Sequence, residues 1–417
     1  MRTRTLLLVA VAVALAVVSF VVAMPAVTAS AATPEPIRVG TMAPLSGLFA
    51  QPGKDIIDGF RLYFEQTGFQ AAGRRIELTE EDDEGNNATA MTKYRKLVER
   101  DRIHVFGGVV LVNIGYALAP MFDKDRIPAL FVTSPDDLTK RRRARWMIRA
   151  AMSASQPMHA MGEYAYKVLG YRKVAAVSLD NGFGHESVGG FQRVFEELGG
   201  KMVQKLWAPL NAVDFAPYIT QLQRDVDAVV AVNAGAGSVR FFKQYAEYGL
   251  KGKIPLIGTG VTSEDTVLRS LADEAEGFVG ALHYASTLQN PANQAFVKAV
   301  VAKSGRTPGY FQAAGYSGAR WIVEAARRID GKVEDRERFL QAIRQAANGE
   351  DLRGQILIDE YGNPTQNIYI LKVEKVGGKL QNTVIHTYPM VSQFWTYKPD
   401  EFLKTPAYSR DYPPVKP

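Results

Sequence analysis

The chain contains no cysteine. That excludes disulfides, metal–thiolate centres and lipid attachment to an N-terminal cysteine. Histidine is scarce. Only His104, His159, His185, His283 and His386 occur, none at the paired spacing of a metal site, so each is expected to be structural. No G-x-S-x-G segment marks a serine nucleophile. Beyond the N-terminal leader every apolar run is short and broken by charge, which excludes further membrane spans. With nucleophile, metal and cofactor signatures missing, an exported α/β enzyme is the least favoured class. The chain is expected to bind rather than to catalyse, without metal or cofactor.

The leader is itself informative. Arg2 and Arg4 make a short basic start, and 6–24 is almost continuously apolar. Ala29-Ser30-Ala31 then offers a small-x-small cleavage pattern, so residues 1–31 are expected to be a signal peptide and Ala32 the first mature residue. A membrane anchor competes with this reading, because the apolar run is near bilayer length. The small residues of the run and the adjoining cleavage pattern favour removal. An exported, disulfide-free chain fits a bacterial periplasm, where the mature protein would be freely soluble. Loss of Arg2 and Arg4 lowers the formal net charge from +7 to about +5. The one dense basic cluster, Lys140 to Arg145, is expected to be a solvated loop rather than a nucleic-acid patch. A mature length of about 385 residues exceeds one typical core and suggests two domains.

Strand and helix patterns alternate along the chain. Ile37 opens a buried strand leading into a loop with Pro44, Ser46, Gly47 and Gly53, and helical spacing follows over 55–66. The series continues with a strand over 75–79, a helix over 88–100, a strand over 103–110, a helix over 116–122 and a strand over 127–133. A second series has helices over 156–169, 189–198, 215–224 and 239–248. Its strands fall over 173–179, 202–208, 228–232 and 254–258. Further strands are expected over 278–285, 355–359 and 367–376, and long helices over 293–303 and 311–329. Such alternation predicts an α/β fold of two Rossmann-like doubly wound lobes. The segment 386–417, rich in Pro and Tyr, reads as an extended surface tail.

Other features invite chemical readings. The run Glu80 to Glu84 lacks the spaced ligands of a calcium loop and is expected to be a solvated loop at a strand end. Gly235-Ala236-Gly237 imitates a dinucleotide fingerprint, but Arg240 stands at the third glycine position and no following acidic residue fits. It is better read as a tight turn exposing N–H groups at a helix start, able to hold an anionic group. Phe49 and Phe183 follow buried strands among Gly, Asn and Asp. Each either packs or covers a ligand.

Taken in order and spacing, the segments IRVGTMAPLSGLFAQPG, LTEEDDEGNNATAMTKYRKLVERDRIHVFGG, YALAPMFDKDRIPALF, VAAVSLDNGFGHES and IPLIGTG carry a resemblance. They resemble the periplasmic solute-binding proteins of the branched-chain (hydrophobic) amino acid ABC importers, over most of the mature chain. The resemblance implies two lobes joined by a three-segment hinge and closing over one small ligand. The first lobe would comprise 37–151 with 286–350, and the second 152–285 with 351–385. A membrane permease of the importer would receive the closed, monomeric protein. Leu111, Val112 and Asn113 stand where relatives often hold the ligand carboxylate with hydroxyl residues. Thr133 and Ser134 follow the fourth strand, Phe183 matches an aromatic covering the ligand, and Asn233 and Ala234 match a loop of the second lobe. Thr259 and Gly260 match the loop where amino-acid binders place an acidic residue against the ligand's ammonium.

Two departures shape the expected ligand. Gly260 cannot pair with an ammonium, and a buried unpaired ammonium is expensive unless Glu264 or Asp265 substitutes. Leu111 and Val112 also make the first-lobe loop more apolar. The expected ligand is therefore an aromatic or other hydrophobic carboxylate, with a branched-chain amino acid as competitor. A ligand-sensing regulator on the same fold is the alternative function.

Overall fold

The computed structural model describes residues 34–415. The leader and its cleavage pattern lie outside the described residues. The first sheet has six strands: β1 (Ile37–Ala43), β2 (Gln70–Ala71), β3 (Arg74–Asp82), β4 (Val105–Gly108), β5 (Ala129–Phe131) and β6 (Met147–Arg149). Their order is β2-β3-β1-β4-β5-β6, with β1 parallel to both β3 and β4. Helices α1 (Ala50–Gln66), α2 (Asn87–Glu99) and α3 (Val112–Asp125) make the crossovers. β1 is buried almost throughout, which is why its sequence does not alternate.

After β6 the chain passes to a second sheet. This part contains α4 (Ser155–Lys167), β7 (Lys173–Leu179), α5 (Gly182–Glu197), β8 (Lys201–Ala208), α6 (Ala216–Gln221) and β9 (Ala228–Val232). It continues with α7 (Gly235–Glu247), β10 (Leu256–Thr259), α8 (Asp265–Leu268) and β11 (Val279–Leu282). The chain then returns to the first lobe for α9 (Pro291–Ser304), α10 (Tyr310–Arg328) and α11 (Arg336–Ala347). It crosses back for β12 (Gly349–Asp351), β13 (Gly354–Ile358), β14 (Pro364–Val376) and β15 (Lys379–Val391). The second sheet runs β12-β13-β14-β11-β10-β9-β7-β8, with β15 on β14. The fold is thus a two-lobed α/β structure, and the chain passes between the lobes three times.

Two glycines dock α10 onto α1. A Cβ on Gly59 would lie 2.2 Å from the Gln312 carbonyl oxygen, and one on Gly315 would lie 2.2 Å from that of Ile56. Only hydrogen atoms fit between these backbones. Beside this contact Tyr63, Tyr316 and Phe296 stack edge to face or tilted.

Several expectations are corrected. Glu80, Glu81 and Asp82 lie within β3, not in a solvated loop. Glu81 is buried and paired with Lys93 and Lys96 of α2, which compensates its desolvation. Lys140 is fully buried, on Asp136, because the chain folds it under the C-terminal segment, while Arg142, Arg143 and Arg145 do face solvent. The segment after 385 is no extended tail. It finishes β15 and then forms α12 (Pro399–Lys404) within a strap. Phe394, Phe402 and Tyr408 of the strap build a satellite core with Tyr361. Tyr408 lies 3.0 Å from His159 Nε2, and the Lys140 ammonium stands 4.8 Å from the Phe402 ring centre. Aromatic burial, with no periodic pattern, orders this segment.

Phe402→Ala should therefore cost about 3–5 kcal/mol of stability, the usual cost of emptying a buried phenylalanine site. Chemical denaturation of the full chain checks it; a loss under about 1 kcal/mol would show that the strap adds no core.

Candidate functional site

The carboxyl ends of the strands in both sheets converge on one cavity of about 50 Å³. The first lobe supplies Phe49, Val110, Leu111, Val112, Val132, Thr133, Ser134, Tyr310 and Phe311. The second supplies Leu179, Asn181, Phe183, Leu210, Ala234 and Val261. The lobes touch at its edges: a Cβ on Gly182 would lie 2.9 Å from Val112 Cγ1, and one on Gly235 would lie 3.4 Å from the Leu48 carbonyl oxygen. Among the described residues, no lysine, arginine, histidine, aspartate or glutamate lines the wall.

What the wall offers instead is helix starts. Phe49 is the N-cap of α1, Leu111 of α3, Asn181 of α5 and Ala234 of α7, and Tyr310 is the first residue of α10. At α1, α3, α7 and α10 no side chain caps the first turn. At α3, α7 and α10 the leading N–H groups lack intrahelical acceptors and carry the positive end of the helix dipole, whereas at α1 the Ala50 N–H already donates to the Gly47 carbonyl oxygen and Pro52 has no N–H. Only α5 is capped, with Asn181 Oδ1 accepting from the Gly184 N–H at 2.9 Å, which leaves the Asn181 amide nitrogen as a donor. The Thr133 hydroxyl is buried without a partner among the described residues. The cavity is therefore apolar in area and rich in donors, a chemistry suited to an anionic head on a hydrophobic body.

Of the residues expected at the site, Phe49, Leu111, Val112, Thr133, Ser134, Phe183 and Ala234 line this one cavity. Phe183 lies in the first turn of α5, not in a loop, and is nearly buried. Four expected residues do not reach the wall. Asn113 points outward, donating to Asn87 Oδ1 at 2.6 Å. Asn233 is enclosed behind Ala234, its backbone N–H donating to Thr262 Oγ1 at 3.0 Å. The Thr259 hydroxyl accepts from the Val261 N–H at 3.3 Å. Gly260 packs against β11, where a Cβ would meet that of Leu282 at 2.7 Å. Val261 reaches the cavity from that loop instead. Tyr310 and Phe311 escaped the sequence reading because paired aromatics at a helix start look like core. The signal available was Gly309 followed at once by two rings.

Neither acidic candidate lines the cavity. Glu264 caps α8, accepting from the Thr266 N–H at 2.8 Å, and Asp265 accepts from the Ser286 hydroxyl at 3.1 Å. Burial pushes Glu264 up to about 7 and Asp265 up to about 6. Burial, and then the Glu264 charge facing it from the other lobe, raise Asp55 to about 7, with Gln51, Arg269 and Arg306 opposing.

A buried polar network stands behind the wall. Arg149, fully enclosed, donates to the carbonyl oxygen of Thr133, to that of Pro135 at 2.7 Å, to Thr139 Oγ1 at 3.0 Å and to Asn363 Oδ1 at 2.8 Å. Asp136 accepts from Lys140 Nζ at 2.7 Å and from the Ser155 hydroxyl at 2.6 Å. Across the lobes, Glu186 of α5 accepts from the Asp136 N–H at 3.0 Å, and burial raises its pKa well above the usual range.

Two α/β lobes joined by three crossings and closed over one cavity define a ligand receptor of the two-lobed binding-protein class. Residues 36–379 match the periplasmic binding protein family, and the chain belongs to it. It is an extracytoplasmic solute-binding protein that works with the permease subunits of an ABC importer. An ABC transporter substrate-binding protein from Sphaerobacter thermophilus shares 33% identity and a TM-score of 0.81, over 86% of this chain and 99% of that one. A solute-binding protein from Rhodopseudomonas palustris BisB5, in complex with 3,4-dihydroxybenzoic acid, shares 30% identity and a TM-score of 0.80 over 86% of this chain and 98% of that one. A Leu/Ile/Val-binding protein homolog from Brucella melitensis is 25% identical over 370 residues, covering 86% of this chain and 93% of that protein.

The carboxyls of Asp55 and Glu264 hold their protons up to about pH 7 in the folded protein, whereas an unfolded chain releases them near about pH 4. Their contribution is thus fully present below about pH 4 and declines as pH rises from about 4 to 7. Asp55→Asn with Glu264→Gln should flatten that decline in melting temperature. An unchanged slope would show that these groups titrate normally.

Proposed function

We propose that this protein captures an aromatic or other hydrophobic carboxylate, and that Phe49, Leu111, Val112, Thr133, Ser134, Phe183 and Ala234 hold it, together with Asn181, Tyr310 and Phe311. The carrying observation is that the cavity combines uncapped helix starts with a complete lack of acidic side chains. A carboxylate finds N–H and O–H donors there, whereas the ammonium of a free amino acid finds no counter-charge. Burying it unpaired would cost several kcal/mol. The ring would lie among Phe49, Phe183, Tyr310 and Phe311, each aromatic burying on the order of 150–250 Å² of its own surface in such a setting. The BisB5 relative with its dihydroxybenzoic acid supports the same ligand class.

In this reading the lobes part at the three crossings, the carboxylate engages the helix starts of one lobe, and closure brings the second set of starts to it. The ligand favours the closed state only by contacts that both lobes complete. We assign 37–151 with 286–350 to the first lobe and 152–285 with 351–385 to the second. Residues 1–31 form a cleavable signal peptide that delivers the protein to the periplasm.

Calorimetry on the protein should show benzoate binding at least about 100-fold more tightly than leucine, the factor expected from about 3 kcal/mol. Thr133→Val should weaken benzoate by about 10-fold, consistent with a charged hydrogen bond of about 1.5–3 kcal/mol. Tight leucine binding without benzoate binding would overturn the assignment.

A further inference from the structure

Beside the ligand cavity, on the far side of Phe49 and Ala234, runs an open groove of about 650 Å³. The first lobe lines it with Leu48, Gln51, Lys54 and Arg306 among others, and the second with Gly235, Arg240, Thr266 and Arg269. Among the described residues four cations line it, Lys54 and Arg306 from the first lobe and Arg240 and Arg269 from the second, and no acidic residue does. None of the four forms an ion pair among the described residues. Arg269 donates to the Thr307 carbonyl oxygen at 2.8 Å and Arg240 to that of Ala212 at 3.4 Å, while Arg269 and Arg306 also share a small adjoining depression with Asp55 and Asp58. The carboxylates nearest this face are occupied. Asp55 and Glu264 are buried behind it, Asp58 pairs with Arg61 at 3.1 Å, and Asp265 accepts from Ser286. The protein's modest net charge therefore gives way here to a local concentration of one sign.

The groove and the cavity are separated by one layer of residues. Phe49 and Ala234 face the cavity, while their neighbours Leu48, Ala50 and Gly235 face the groove. Leu48 is 44% exposed at this rim, an apolar foothold among the charges. Parting of the lobes at this seam would open the cavity directly onto the four cations. The cavity itself has no cation, so the long-range attraction for an anion must come from outside it. A groove lined by one sign of charge and walled by protein focuses its field and speeds encounter with oppositely charged solutes.

We infer that this groove is the entrance to the ligand cavity, and that Lys54, Arg240, Arg269 and Arg306 draw carboxylate anions to it while leaving the final affinity to the uncharged wall within. The inference rests on the carboxylate reading above and adds to it the route and the residues that set the association rate. Charge outside and donors inside divide the work: the groove governs how fast an anion arrives, and the cavity governs how long it stays.

The absence of cysteine permits a test that needs no ligand. Leu48→Cys places a unique thiol at the rim. Its reaction with the anionic aromatic disulfide 5,5′-dithiobis(2-nitrobenzoate) should outpace its reaction with neutral 4,4′-dithiodipyridine, each normalised to a small free thiol, by about 10-fold at low salt. That advantage should vanish in 0.5 M salt, a concentration that shortens the screening length to a few Å. It should also vanish when Lys54→Ala, Arg240→Ala and Arg306→Ala are added. Equal rates for the two reagents would overturn the inference. Stopped-flow binding supplies the second arm: the triple variant should lower the benzoate association rate by about 10-fold at low salt and leave its dissociation rate unchanged. A slower association with unchanged dissociation supports the entrance. An unchanged association rate overturns it. If the Leu48→Cys protein shows the thiol effect but the wild-type protein binds no benzoate at equilibrium, the ligand assignment fails while the anion-attracting groove stands.

Discussion

Everything at the centre of this molecule hangs on one guanidinium. Arg149, at the end of the last strand of the first sheet, has no exposed surface and spends its donors on two carbonyls of the site loop, on Thr139 and on Asn363. The loop that follows β5 is thereby held rigid, and with it Thr133 and Ser134. Asn363 belongs to the turn before β14, so the same cation ties the first lobe to the second beside the crossing. Burial lowers its pKa to about 10, leaving it charged at neutral pH with Asp136 as the strongest compensating partner. Such a group is costly unless every donor is used. Here two of its contacts go to backbone oxygens that would otherwise need partners of their own, and two to the side chains of Thr139 and Asn363.

The same economy explains the cavity. A carboxylate could be held by an arginine, but a buried arginine in an empty cleft would need its own counter-ion. Uncapped helix starts avoid that cost, because backbone dipoles are permanent and cannot be neutralised by rotation or protonation. Leaving Leu111 and Ala234 at cap positions sacrifices about 1 kcal/mol per helix compared with a good cap. That sacrifice is of the kind found where stability yields to function.

Most of the architecture was legible because it rests on short-range pattern. Lys173 to Leu179 and Ala228 to Val232 are strands at the boundaries their apolar runs suggest. The misreadings share a physical cause: local polarity was taken for exposure. Lys140, Glu81 and Asp83 are polar yet buried, each with partners contributed from other parts of the chain or from backbone turns. The strap went unread because its order comes from aromatic contacts with α4 and α5, elements more than two hundred residues upstream. At the site, residues following strands β4, β5 and β7 were legible from their loops. The loop after β10 was placed one residue early, because a glycine serving strand packing at 260 looked like an open position. Tyr310 and Phe311 needed the second crossing to be known before they could be placed.

The threading of the chain has a consequence for the order in which it can become a folded protein. The first sheet is complete by residue 149, yet the helix that covers it through Gly315, Trp321 and Ile322 arrives only with α10. The second sheet likewise waits for β14 and β15 to extend it beyond β11. Neither lobe can close its core while the chain is still emerging from the ribosome. A polypeptide wired in this way completes the core of neither lobe until most of its length is available.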